Sequence, residues 1–146
     1  MEVRSDRRWR FGVDPPTLWA ALSDVDSYRT WWPWLSGLDA DAFEPGARWR
    51  CAVQPPLPYV LRFSIHLDVV EPPHLATATI DGDITGTATL TVEADGDGSE
   101  ARLVSNLAPA NSFLRGVARF AAPVVRFGHD WVLDTGAGQF RRRALR

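Results

Sequence analysis

With 146 residues, 45% of them apolar and 23% charged, the chain reads as one globular domain over 1–146, large enough to bury a core. A net charge of −2 gives no electrostatic reason to expect nucleic acid or an anionic membrane. No run reaches the roughly 18–20 apolar residues of a membrane span, and the absence of lysine excludes lysine Schiff-base chemistry and a phosphate-loop lysine. The lone Cys51 excludes an internal disulfide and fits a reducing compartment. The opening MEVRSDRRWRF has charges with no apolar stretch after them, unlike a signal peptide. A cytoplasmic protein is expected.

Trp9, Phe11 and Val13 alternate with Arg8 and Arg10, the pattern of a half-buried first strand. Asp14-Pro15-Pro16 is a helix start, with a short helix through Leu18, Trp19, Ala21 and Leu22. Asp26 caps a second short helix that Pro33 stops. Leu35 to Phe43 reads as a weak strand, and Glu44-Pro45-Gly46 turns the chain into a clean one at Ala47–Val53. After the PPLP loop at 55–58, Tyr59, Leu61, Phe63, Ile65, Leu67 and Val69 share one face of a long strand. Glu71-Pro72-Pro73, Asp81-Gly82 and Asp95-Gly96-Asp97-Gly98 mark the turns between three more strands, ending near Ala108.

The last third, from Asn111 to Arg146, is helical by period. Phe113, Val117, Ala121, Val124, Gly128, Trp131, Val132 and Thr135 fall on one face, with Arg115, Arg119, Arg126 and Asp130 opposite. Pro123 must kink or break this helix, because it removes one hydrogen bond and clashes with the preceding turn. A break there would let the first segment act as a gate. The expected fold is α+β: a strongly curved antiparallel sheet of about seven strands wrapped around a long C-terminal helix, with two short helices between strands 1 and 2.

Three stretches carry a family resemblance: DPPTLWAALSDVDSYRTWWPWL (14–35), the paired glycines of DGDITGTATL (81–90) and FGHDWVLDTGAGQFRRRAL (127–145). Together and in this order they resemble the START/Bet v 1-like superfamily, also called SRPBCC or polyketide cyclase/dehydrase, over the whole chain. The resemblance implies the helix-grip fold and an apolar cavity for lipid-like or polycyclic molecules. It does not imply one reaction, because lipid carriers, receptors, aromatases and cyclases share the fold.

The residues themselves carry little acid–base chemistry. His129 and Asp130 are neighbours on a helix, about 100° apart, so a catalytic dyad is not expected of them. His66 and His74 have no further ligands at metal spacing, the acidic hairpin at 95–98 lacks a closing glutamate, and Cys51 has no base beside it. No metal and no cofactor are expected. The arginine stripe of the last helix reads as its wet side. Gly86 and Ala88 on a strand, and Gly128 and Gly136 on the helix, fit either close packing or a cavity. The many aromatics nearby favour a cavity.

The first functional expectation is therefore binding of a small hydrophobic molecule. The expected lining from the sheet is Trp49, Tyr59, Leu61, Phe63, Ile84 and Ala88. From the helix it is Phe113, Val117, Val124, Phe127 and Trp131, with Tyr59, Ser105 or His129 orienting the ligand. The second is a polyketide aromatase or cyclase working in the same cavity, mainly by positioning. The third is an interaction module with a filled core, using Trp31, Trp32 and Trp34 as a patch for a protein. No nucleic acid or membrane-integral partner is expected, and a homodimer is compatible with a sequence that does not fix the oligomeric state.

Overall fold

The computed structural model describes residues 2–145, so Met1 and Arg146, the ends of the expected 1–146 domain, lie outside the described residues. The elements are β1 (Val3–Phe11), α1 (Pro15–Leu22), a 3-10 turn (Val25–Ser27), α2 (Tyr28–Trp31), β2 (Leu35–Asp39) and β3 (Arg48–Val53). Then come β4 (Leu61–Glu71), β5 (Leu75–Gly82), β6 (Ile84–Asp95), β7 (Gly98–Pro109), α3 (Ser112–Phe120) and α4 (Ala122–Arg143). The seven strands form one strongly curved antiparallel sheet, ordered β1-β7-β6-β5-β4-β3-β2. Every neighbour in the meander is joined by a short connection, and β1 closes against β7 with Val3 opposite Leu107 and Phe11 opposite Ser99. The helix-grip architecture expected from the element order is the one observed.

Local chemistry accounts for the helix starts. The Asp14 side chain accepts from the Thr17 N–H at 3.0 Å, and prolines fill the first turn of α1, where their missing N–H is no loss. Asn111 caps α3 in the same way through the Leu114 N–H at 2.6 Å. Asp26 does not cap the second short helix; a 3-10 turn precedes α2, with Asp24 before it.

Pro123 ends one helix and begins another. Ala121, with φ −145° and ψ 54°, separates α3 from α4, and the proline occupies the first turn of α4. The buried face keeps one phase across the break but lies about one residue on from the expected one. Leu114 and Ala118 are buried on α3, and Val125, Gly128, Gly136 and Phe140 on α4. Phe113 is left outside, 61% exposed.

A second departure lies in β4. Leu67 pairs with Ala78 and Val69 with Thr77, so Asp68 is an extra residue on this strand. Such a bulge shifts alternation by one position. Leu67 and Val70 are buried, whereas Val69, expected on the inward face, is 39% exposed.

Helix α4 lies in the grip of the sheet, tied on both sides. Toward β1, Arg7 bridges Asp130 at 2.9 Å and Asp134 at 3.3 Å, and Arg141 donates to the Arg10 carbonyl at 2.8 Å. Toward the insertion, the Trp32 indole N–H donates to the Gly136 carbonyl at 2.9 Å and the Trp34 N–H to Gln139 at 2.8 Å. Arg143 reaches the Trp31 carbonyl. The tryptophan cluster is therefore a clasp on α4, with Trp31 buried at 6% exposure, and not a surface patch.

Candidate functional site

Beneath the C-terminal half of α4 is a cavity of about 370 Å³. Its floor is the inward face of the sheet: Trp9 and Phe11 of β1, Trp49 of β3, Phe63 of β4, Leu90 of β6 and Leu103 of β7. Leu18 and Leu22, one helical turn apart on α1, close one end with Tyr28 and Phe43. The roof is Val132, Leu133, Gly136, Ala137 and Phe140 of α4. No residue of α3 borders it. That helix instead covers a second, smaller apolar cluster of Val3, Leu114, Ala118 and Val125, so α3 is not a gate over the main cavity.

Four polar side-chain groups of the wall are turned to the protein. Trp32 and Trp34 use their N–H groups on α4, the Trp49 N–H donates to the Ala42 carbonyl at 2.8 Å, and the Tyr28 hydroxyl donates to the Leu22 carbonyl. Burial pushes the Tyr28 phenol well above its ordinary value, with the Asp24 and Cys51 charges adding to it. Burial alone pushes the Cys51 thiol up to about 12. Both are neutral near pH 7, and neither is an acid or base of useful strength there. What the wall offers is apolar contact.

Of the residues expected to line the site, the structure brings Trp49 and Phe63 to this cavity. Tyr59, Ile84 and Val117 pack instead on the second cluster, and Leu61 bridges that cluster and the main core without lining the cavity. Phe113 and Phe127 are 61% and 52% exposed, and Ala88, Val124 and Trp131 are half-buried outside the main cavity. Ser105 is buried opposite Ser5 on β1, and neither hydroxyl has a partner within the protein. His129, 14% exposed, approaches the Asp130 carboxylate through Nδ1 at 3.2 Å. Adjacent helical side chains do meet here, because Arg7 holds the same carboxylate from β1. Gly128 and Gly136 serve close packing. A Cβ on Gly136 would lie 2.9 Å from the Trp34 ring, and one on Gly128 would lie 2.7 Å from the Tyr59 hydroxyl.

Trp9, Leu18, Leu103 and Phe140 line the cavity without having been expected there. Alternation and helical period place such residues inward, yet nothing local says which inward residues border empty space. Among the described residues, no group of three potential metal-binding side chains is close enough to hold an ion. No described helix is long and apolar enough to cross a membrane.

Three carboxylates tie the frame around this site. Hydrogen bonding from Arg102 lowers Asp6, and the Thr17 cap lowers Asp14. Burial works to raise Asp130, but the hydrogen bonds and charges of His129 and Arg7 outweigh it. A carboxylate depressed in the folded state contributes stability that is full above its unfolded value of about 3.9 and is lost as pH falls through the folded one. The melting temperature should therefore hold from pH 7 to about 4 and fall below it. Asp130→Asn should lower the plateau and flatten that fall. A wild-type melting temperature unchanged down to pH 2 would contradict the assignment.

The family described as polyketide cyclase / dehydrase and lipid transport matches residues 3–144. The chain belongs to this family. No curated protein matches it in sequence. Among solved structures, the TTHA0849 protein of Thermus thermophilus is 16% identical with a TM-score of 0.78, over 99% of this chain and 97% of that one. The Zhui aromatase/cyclase of Streptomyces sp. R1128 is 12% identical with a TM-score of 0.73, over 98% and 96%. Ara h 8.0201, a Bet v 1 homologue, is 12% identical with a TM-score of 0.67, over 99% of each chain. At these identities the likeness establishes the fold, and this member of the polyketide cyclase/dehydrase family is START/Bet v 1-like.

Proposed function

We propose that this protein binds one small hydrophobic molecule, lipid-like or polycyclic, in the cavity beneath α4. One observation carries the reading: a space of about 370 Å³ walled by aliphatic and aromatic side chains, where the Tyr28 hydroxyl and the Trp32, Trp34 and Trp49 N–H groups are already engaged by the protein. That volume falls in the range of about 300–1,000 Å³ typical of small-molecule sites. Affinity would come from apolar burial, at about 25 cal/mol per Å².

A second reading, turnover by an aromatase/cyclase, is favoured by the family description and by the likeness to the Zhui aromatase/cyclase. It ranks lower because the titratable groups of the wall, Tyr28 and Cys51, are both held neutral. Catalysis would then rest on folding a reactive chain into position.

Native mass spectrometry of freshly purified protein, followed by denaturing extraction, tests both readings. A co-purifying apolar molecule of a few hundred daltons is expected. A clean protein that also ignores fatty acids, sterols and aromatic polyketides would contradict both.

A further inference from the structure

The corner where α3 meets α4 is unlike the rest of the surface. Of seven phenylalanines, Phe11, Phe43, Phe63 and Phe140 line the cavity. The other three, Phe113, Phe120 and Phe127, stand in solvent at 61%, 85% and 52% exposure. Phe113 and Phe120 are two helical turns apart and share one side of α3. Tyr59 draws the pieces together: its ring meets Phe113 at 6.5 Å, and its hydroxyl lies against Gly128, next to Phe127. Arg115, Arg119 and Arg126 are exposed on the same two helices, and the Arg119 guanidinium sits 5.6 Å over the Phe120 ring. Between Glu100 and Asp130 the chain has no acidic residue, so α3 and the first turns of α4 carry only positive charge on a protein of net charge −2.

We propose that this corner docks the protein reversibly on an anionic lipid surface. The three rings enter the boundary between headgroups and acyl chains, and the three arginines meet lipid phosphates. The arrangement fits lipid better than a protein. A protein interface gathers its aromatic anchors into a dry centre with charge at the rim. Here exposed rings run along one side of the helices with exposed arginines flanking them, and a hydrated interface can accept each ring separately while the guanidinium groups stay at headgroup level. Docking of this kind goes beyond ligand binding and does not require an occupied cavity.

The test is co-sedimentation of the full chain with vesicles of phosphatidylcholine, alone or mixed with phosphatidylglycerol. The wild type is expected on the mixed vesicles, with partition falling as salt is raised. Combined Arg115→Gln, Arg119→Gln and Arg126→Gln should weaken that partition on the order of a hundredfold. Combined Phe113→Ser, Phe120→Ser and Phe127→Ser should weaken it at least about tenfold. All six positions are exposed, so both variants should melt like the wild type, which separates lost docking from lost folding. Wild type that ignores both vesicles, or variants that bind as it does, would overturn the proposal. So would phenylalanine-dependent dimers in light scattering without vesicle binding, because a second copy would then cover the corner.

Discussion

Gly86→Ala is expected to lower the melting temperature by roughly 10–15 °C, a loss of about 3–5 kcal/mol. Gly86 pairs with Leu107 on one side and Ile80 on the other, in the middle of the sheet. Its φ is +151°, and a Cβ built there would lie 1.9 Å from the Asn106 carbonyl oxygen. The obstructing atom is backbone, so relief requires the β6–β7 ladder itself to open. Gly116→Ala in α3 is the matched control. Nothing lies within 4 Å of its Cβ, and alanine is the better helix former, so stability should rise by about 0.5–1 kcal/mol. Thermal melts of the two variants measure both effects. Equal melting temperatures would show that the sheet does not need a glycine at 86.

Phe140→Ala should be comparably damaging, at about 3–5 kcal/mol. Phe140 is 2% exposed and meets Phe11 at 5.5 Å and Trp31 at 5.3 Å, both edge-on. It thus joins β1, α2 and the end of α4 around one ring. Truncation leaves a hole next to an existing cavity, which the rigid aromatic neighbours cannot close. Urea unfolding checks this: a lower midpoint at unchanged slope is expected. A loss below about 1 kcal/mol would mean that α4 is held by its polar ties alone.

Periodicity made the sheet legible. Strands β1 and β3 alternate cleanly, the threonines of β6 alternate with apolar residues in sequence, and the Asp-Gly turns after β5 and β6 are chemical signals, so the meander and its covering helix can be read from the residues alone. What failed to show was anything set by a single inserted residue or by distant contact. The Asp68 bulge moves the inward position from Val69 to Val70, and no local pattern announces it. The buried face of the last helices runs through Leu114, Ala118 and Val125, one residue on from Phe113, Val117 and Val124, because apolar residues stand on both sides of that line and period alone does not choose between them. The tryptophans at 31, 32 and 34 looked like a patch because their partners, Gly136, Gln139 and Phe140, lie more than a hundred residues away. The cavity lining was hardest to read, because Leu18, Trp9 and Leu103 are adjacent to it only once the sheet has curled.

The central claim is that the space beneath α4 is a ligand site, and filling it tests this most directly. Ala137 lines the roof on the α4 side, with room beneath it for an aromatic ring. Titration of tryptophan fluorescence with the extracted ligand, or with a fatty acid or sterol that binds, should be run on wild type and Ala137→Phe. The variant is expected to fold with unchanged or slightly raised stability and to bind at least about tenfold more weakly, because the added ring takes the ligand's place. A well-folded Ala137→Phe with undiminished affinity would put the ligand elsewhere and contradict the account.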